Sequence, residues 1–310
     1  MPMWVIYFKF FPNNMGKNQE GEFNMKGSIL QAEVVKMQSF DNLFIEMTAK
    51  SCNQRCKNCY IDLPQYTKKT EDFISIQTIE NAFKDIQDEN IKCIYLSGAE
   101  PMTHPDFNSI LRFCLKKNNV CICTNGSFIN EKKARFLKKV SEETENELIF
   151  KISIDHYDEI KNDDIRYRGA YRHGIFAVKS LIKYNFMPII TVTNFYGENE
   201  KSLFEGFKQV FNKFGYELDK SHLIINPPYY KNNHDENNLE YKNQKTDCTN
   251  CRVLSKNGIY NCPFLTDDFR GRCGSSFNDY NKKCVLETEY CATCLKTQKP
   301  IFCIDFSSFE

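Results

Sequence analysis

What this chain most lacks is an excess of charge of either sign. It has 41 Lys and Arg against 40 Asp and Glu, a net of +1 at neutral pH. Such a balance supplies no electrostatic footprint for nucleic acid or for an anionic membrane. Neither class of partner is expected, and a compact or peptidic one is. Long apolar runs are missing as well. Residues 1–11 are apolar and aromatic, but the stretch is too short to span a bilayer, carries Lys9 as its single charge and has no small-residue cleavage site. Met3 to Phe11 therefore reads as an edge strand, and residues 12–27, rich in Asn, Gly and Lys, read as a loop. With no signal-like segment in view, the expected setting of the fifteen cysteines is a reducing cytosol, where dense cysteine more often means metal than disulfide.

A fourth ligand is the next absence. Between Gly27 and Lys92 there is no His, and no Cys beyond Cys52, Cys56 and Cys59. Structural zinc sites usually close with a fourth Cys or His nearby, so the spacing argues against zinc here. The three thiols stand at C-x3-C-x2-C, just after the apolar run 43–47. Three thiolates on one short loop can converge on one soft metal centre, and a cubane iron–sulfur cluster with three protein ligands keeps one iron open for chemistry. A zinc knuckle and thiols that simply pack are the plainer alternatives.

From Leu43 onward short apolar runs alternate with helical periodicity. Strands are expected at 43–48, 92–97, 119–124, 148–154, 187–194 and 221–226. Helices are expected at about 76–89, 106–117, 130–143, 169–184 and 201–214. Strands separated by amphipathic helices imply right-handed crossovers and a parallel sheet. Six units are too few to close an eight-stranded barrel, so the fold class is α/β, a partial (β/α)6 TIM-like barrel with one open side. In such folds chemistry sits at the carboxyl ends of the strands.

The residues at those ends carry a pattern. The second strand ends in Ser97-Gly98-Ala99-Glu100-Pro101, the third in Thr124-Asn125-Gly126, and the fourth holds Ile152-Ser153-Ile154-Asp155-His156. With Cys52, Cys56 and Cys59 after the first strand, this series resembles the radical S-adenosylmethionine (radical SAM) superfamily, whose partial barrel the fold expectation matches. The resemblance implies a [4Fe-4S] cluster on the three cysteines and SAM bound on its open iron, reductively cleaved to a 5′-deoxyadenosyl radical. It gives Glu100 the role of pairing with the methionyl ammonium, where small Gly98 and Ala99 let the backbone approach; Ala99 replaces the family's usual second Gly. Asn125, Ser153 and Asp155 become candidate SAM contacts, the last two sharing a strand face. Asn58 stands before the third cysteine, where the family often has an aromatic residue and the main chain touches adenine, so Tyr60 is a candidate for the ring. The stretch Arg168-Gly169-Ala170-Tyr171-Arg172-His173-Gly174-Ile175-Phe176 resembles the start of the fourth barrel helix in peptide-modifying members. Arg166, Arg168 and Arg172 either hold a carboxylate there or are surface charge, with surface charge favoured for each. His156, His173 and His222 read as ordinary polar residues. Cys93 and Cys114 read as core, and Cys121 and Cys123, on one strand face, as packing rather than as barrel lining.

After residues 227–244, a polar Asn-rich linker, eight cysteines fall between Cys248 and Cys303, a density that argues for a metal-stapled appendage. The segment from Cys251 to Cys262-Pro263 resembles the hairpin that opens the SPASM and twitch extensions of the same superfamily. By that resemblance Cys251, Cys262, Cys291 and Cys294 hold one auxiliary [4Fe-4S] cluster. Cys248, Cys273, Cys284 and Cys303 are left over as alternative ligands or a second site, and a zinc ribbon on Cys248, Cys251, Cys291 and Cys294 remains the alternative. The expected organisation is an N-terminal strand and loop over 1–40, the barrel over 41–230 and a Cys-rich SPASM/twitch-like domain over 231–310. About forty residues before the barrel are short for the separate leader-binding domain of many peptide-modifying members. The resemblance implies a cytoplasmic iron–sulfur oxidoreductase that modifies a C–H bond of a peptide or protein, served by a reductant such as flavodoxin or ferredoxin. A dehydrogenase with one auxiliary cluster acting on a small carbohydrate or cyclitol is the nearest alternative, and a non-catalytic metal-binding module the remote one.

Overall fold

In the computed structural model, residues 34–63, 72–228, 249–285, 291, 293–294 and 301–304 are described. Six strands run in parallel in sequence order: β2 (Asn42–Thr48), β3 (Cys93–Gly98), β4 (Asn119–Thr124), β5 (Leu148–Ser153), β6 (Ile189–Thr193) and β7 (Leu223–Asn226). A short β1 (Val34–Lys36) precedes them. Helices α1 (Ile76–Asp85), α2 (Phe107–Leu115), α3 (Glu131–Ser141), α5 (Ala170–Lys183) and α6 (Glu200–Asn212) carry the crossovers. A further helix, α4 (Glu159–Ile165), which periodicity did not reveal, follows β5. Helix starts are set by side chains that accept from otherwise unpaired backbone N–H groups. Ser75 serves Thr78 in α1, Asn130 serves Lys133 in α3, and Asp158 serves Lys161 in α4. The expected strand at Met3 to Phe11 and the loop at 12–27 lie outside the described residues, as does nearly all of the linker at 227–244.

Alternation along the strands sorts the apolar side chains into two layers. Leu43, Ile45 and Met47 of β2, Ile94 and Leu96 of β3, and Val120 and Ile122 of β4 pack under the helices. Phe44, Cys93, Tyr95, Cys121 and Ile189 face the other way into a separate cluster. That helix-free face is the lumen of the partial barrel, and every residue of β2 is buried because both of its faces are covered. Phe44 stacks on Tyr95 inside it at 4.3 Å between ring centroids. Cys93 and Cys114 are fully buried, as read from the sequence, Cys114 under the helices and Cys93 on the lumen side. Cys121 is also fully buried, but its burial is within the lumen, beside Cys123, which lines a cavity there.

The Cys-rich segment joins the same sheet. Strand β8 (Cys251–Ser255) runs parallel to β2 on its free edge, Asn42 pairing with Cys251 and Ile45 with Leu254. Strands β9 (Gly258–Tyr260) and β10 (Arg272–Gly274) follow antiparallel, giving the order β10-β9-β8-β2-β3-β4-β5-β6-β7. The last strand, β11 (Lys283–Val285), pairs with β1. Residues 301–304 return to the lumen, where the Ile304 amide donates to the Tyr95 hydroxyl at 2.8 Å and Lys151 Nζ donates to the Phe302 carbonyl at 2.9 Å. Among the described residues no helix is long and apolar enough to cross a membrane.

Candidate active site

The loop that follows β2 is built around Thr48. Its hydroxyl donates to Asp72 at 2.7 Å and accepts from the amide of Ser51 at 2.9 Å, which turns the chain out of the strand. The end of β3 is stitched to that turn, Ala99 N donating to the Thr48 carbonyl and Glu100 N to that of Ser51. Gly98 sits at φ +108°, and a Cβ there would meet the Thr48 carbonyl oxygen at 2.3 Å, so this closeness requires glycine.

Cys52, Cys56 and Cys59 and the eight residues read as SAM contacts, from Asn58 to Asp155, all line one cavity of about 150 Å³ at the carboxyl ends of the strands, open to solvent on one side. Gln54, 1% exposed, braces the cysteine loop: its side-chain amide donates to the Ser127 hydroxyl at 3.1 Å, and its carbonyl oxygen accepts from Arg166 Nε at 3.3 Å. Asn125 donates to Asn53 at 2.9 Å and lies 3.8 Å from the Cys52 sulfur. Burial pushes the Cys52 thiol up to about 11, and the Cys56 thiol up as well, though the nearby Arg166 guanidinium opposes the latter.

Two buried carboxylates flank the thiols. Glu100 is 1% exposed and accepts from Thr124 Oγ1 at 2.7 Å, Asn125 N at 2.9 Å and Met102 N at 3.1 Å. Burial raises its pKa and those three donors pull it back. A carboxylate offers about four acceptor positions, so one remains for a cation from the cavity. Asp155 accepts from Thr193 N and Arg166 Nη1, each at 2.8 Å, and from Asn58 Nδ2 at 3.2 Å. Arg166 is the correction to the sequence reading, which favoured surface charge. Its side chain is 11% exposed and paired with Asp155. Burial opposes its charge, but Cys56 and Asp155 override that and hold it protonated. Arg168 and Arg172 are exposed as expected. His156 is held between Glu198 and the Asp158 amide, and His222 beside Asp219, both in structural roles.

Residues that sequence reasoning passed over also line the cavity: Lys151 on β5, Thr191 and Thr193 on β6, and Asn226 on β7. The signal was there, since Lys151 alternates with Ser153 and Thr191 with Thr193. Tyr60 does not stand alone over the cavity. It meets Phe264 and Phe302 edge-on at 5.2 and 5.3 Å, so rings from the cysteine loop, from the turn after Cys262 and from the C-terminal segment form one cluster.

Three soft sulfur donors in a cavity with room beside them fit a cluster with one open iron. Among the described residues no three His, Cys, Asp or Glu side chains are already drawn together as a metal site. In the Cys-rich segment, Cys251 begins β8 and Cys262 follows β9, the two strands pairing from Val253 with Tyr260 to Ser255 with Gly258. Asn261 accepts from the Cys251 thiol through its carbonyl at 3.4 Å and from the Cys273 thiol through its side chain at 2.9 Å. Cys294 is buried and Cys291 partly so, while Cys248 lies outside the described residues.

A protein-family model described as the Radical SAM superfamily matches residues 48–208. The antilisterial bacteriocin subtilosin biosynthesis protein AlbA of Bacillus subtilis (strain 168) is 24% identical over 156 residues, covering 50% of this chain. The match covers 32% of AlbA, so this chain spans about a third of that relative's length. Among solved structures, native anSMEcpe with bound AdoMet is similar at a TM-score of 0.56 and 16% identity, over 83% of this chain and 82% of that one. The same protein with bound AdoMet and Kp18Cys peptide is similar at a TM-score of 0.55 and 16% identity, over 83% and 82%.

Proposed function

The chain belongs to the radical SAM superfamily, enzymes that use a [4Fe-4S] cluster and SAM, and from that premise we propose that it modifies a C–H bond of a peptide or protein. The observation that carries the reading is the shared cavity, in which Cys52, Cys56 and Cys59 face Glu100, Ser153 and Asp155 at the carboxyl ends of parallel strands. When bound, the cluster and SAM supply a reductively formed 5′-deoxyadenosyl radical that abstracts hydrogen. The chain's own residues hold and orient. Cys52, Cys56 and Cys59 ligate the cluster, Glu100 takes the methionyl ammonium through its remaining acceptor position, and Gly98 and Ala99 leave the backbone approachable. Asn58, Tyr60, Asn125, Ser153 and Asp155 complete the SAM pocket. Phe44 and Phe302 supply apolar wall on the lumen side of the same cavity.

Support for a peptide comes from the relatives, one named for biosynthesis of a bacteriocin and the other solved with a peptide beside AdoMet. Cys251, Cys262, Cys291 and Cys294 are proposed to hold an auxiliary [4Fe-4S] cluster, and a flavodoxin or ferredoxin to deliver the electrons. The test is hydrogen transfer. Anaerobically reconstituted protein is given SAM, dithionite and peptides encoded by small reading frames beside its own, each uniformly deuterated. Deuterium in 5′-deoxyadenosine with a matching mass change in a peptide is the expected result. Deuterium arriving from a cyclitol or small sugar instead, with every peptide unchanged, would overturn it.

A further inference from the structure

Two unmet polar groups face the cavity from neighbouring strands. Lys151, in the middle of β5, is 5% exposed. It shares a strand face with Ser153 and lies one pleat further from the cysteine loop. Its Nζ donates to the Phe302 carbonyl, the one hydrogen bond it makes among the described residues, and no carboxylate among them pairs with it. An ammonium has three N–H donors, so two are unused. The groups around it are the thiols of Cys93, Cys121 and Cys123 and the rings of the lumen; burial pushes the first two thiols up, while the Cys121 hydrogen bond and, beyond it, the Lys151 charge draw that of Cys123 down, and no carboxylate stands among them. Thr191 on β6 pairs in register with Ser153 and lines the same cavity. Its Oγ1 is buried with no hydrogen-bond partner.

An ammonium drawn into an apolar lumen loses more solvation than one carbonyl returns, and a buried hydroxyl without a partner adds to that cost. A chain keeps such groups where something else completes them. Phe302 shows that a peptide-like oxygen reaches Nζ. What a cation and a nearby hydroxyl both lack is an acceptor, and the group that serves the two at once with opposite charge is a carboxylate.

We propose that Lys151 and Thr191 form a carboxylate-binding subsite in the floor of the cavity. Two molecules bring carboxylates there: SAM through its methionyl group, and the substrate through an acidic side chain or a free C terminus, the second resting on the reading that the substrate is a peptide. The position of Lys151, one pleat below the strand end that carries Ser153, favours the substrate.

Equilibrium binding to anaerobically reconstituted protein separates the sources without requiring turnover. One arm measures SAM. The other measures N-acetyl-glutamate N-methylamide against its glutamine counterpart in the presence of saturating SAM. Wild-type protein is expected to bind the glutamate probe at least tenfold tighter than the glutamine probe. Lys151→Gln should lose that preference with SAM affinity unchanged, Lys151→Arg should keep it, and the near-isosteric Thr191→Val, which spares the lysine if Lys151→Gln folds poorly, should reduce it. A tenfold loss of SAM affinity in Lys151→Gln, with no glutamate preference in wild type, assigns the subsite to the carboxylate of SAM. If Lys151→Gln and Thr191→Val match wild type in both arms, the subsite does not exist and Lys151 serves only to anchor Phe302. Failure of the peptide reading appears separately, as absence of deuterium transfer from peptides.

Discussion

Replacing Arg166 with Met tests whether the cysteine loop is held by a buried ion pair. The guanidinium is 11% exposed, bonds Asp155 at 2.8 Å and Gln54 at 3.3 Å, and so ties the loop between Cys52 and Cys56 to the end of β5. Its removal leaves the Asp155 carboxylate, 1% exposed, with Thr193 N and Asn58 Nδ2 as its recorded donors. Breaking one side of a buried pair costs roughly 3–5 kcal/mol, and the surviving donors place this case near 3. For a domain of this size that corresponds to a drop of roughly 6–12 °C in Tm. Urea denaturation of the apo protein reads the loss directly. Arg166→Met combined with Asp155→Asn should recover part of it, because the stranded charge is gone. Arg172→Met, which removes an exposed partner of Glu159, serves as the control and should leave the midpoint unchanged. A loss below about 1 kcal/mol in Arg166→Met, the level of a surface pair, would contradict a buried Arg166–Asp155 pair that holds the cysteine loop.

Glu100→Gln replaces two acceptor oxygens with one, so its NH2 must face either Asn125 N or the Met102 and Thr124 donors; denaturation should show about 1.5–3 kcal/mol lost, with weakened SAM binding, and wild-type stability would contradict the site geometry. Gly98→Ala forces a Cβ to within 2.3 Å of the Thr48 carbonyl at positive φ and should cost upwards of about 2 kcal/mol in the same assay. His104 is neutral in the fold, Nε2 donating to the Ile74 carbonyl at 2.7 Å and Nδ1 accepting from Asp106 N at 3.0 Å. Burial lowers its pKa below 6.5, with Ile74 opposing, so its contribution is present above pH 6.5 and lost as pH falls through the lowered value. Thermal midpoints from pH 7.5 to 5 should fall more steeply in wild type than in His104→Gln, and parallel curves would contradict this.

The repeating part of the fold was legible because it is local. Expected strands at 119–124 and 148–154 meet Asn119–Thr124 and Leu148–Ser153, and the helix at 130–143 meets Glu131–Ser141. The cysteine triplet and the polar strand ends were equally plain, since position at a carboxyl end follows from the alternation itself. Arg166 was not, because it caps α4, a helix of seven residues too short to give a period, and without that helix its direction was undetermined. The pairing of Asn42 with Cys251 joins residues separated by most of the chain, which no local pattern encodes. Lys151 was readable and was passed over: a lysine on the face that carries Ser153 and Asp155 has to point into the lumen.

In the proposed function Cys52, Cys56 and Cys59 hold the cluster that cleaves SAM. The most direct test of that assignment is 5′-deoxyadenosine formation by anaerobically reconstituted, dithionite-reduced protein, with iron and sulfide counted on the same samples. Wild-type protein should carry about eight irons and release 5′-deoxyadenosine; replacing the three cysteines together with Ala should remove about four irons and all of the cleavage. Cleavage that persists in the triple variant would contradict the assignment.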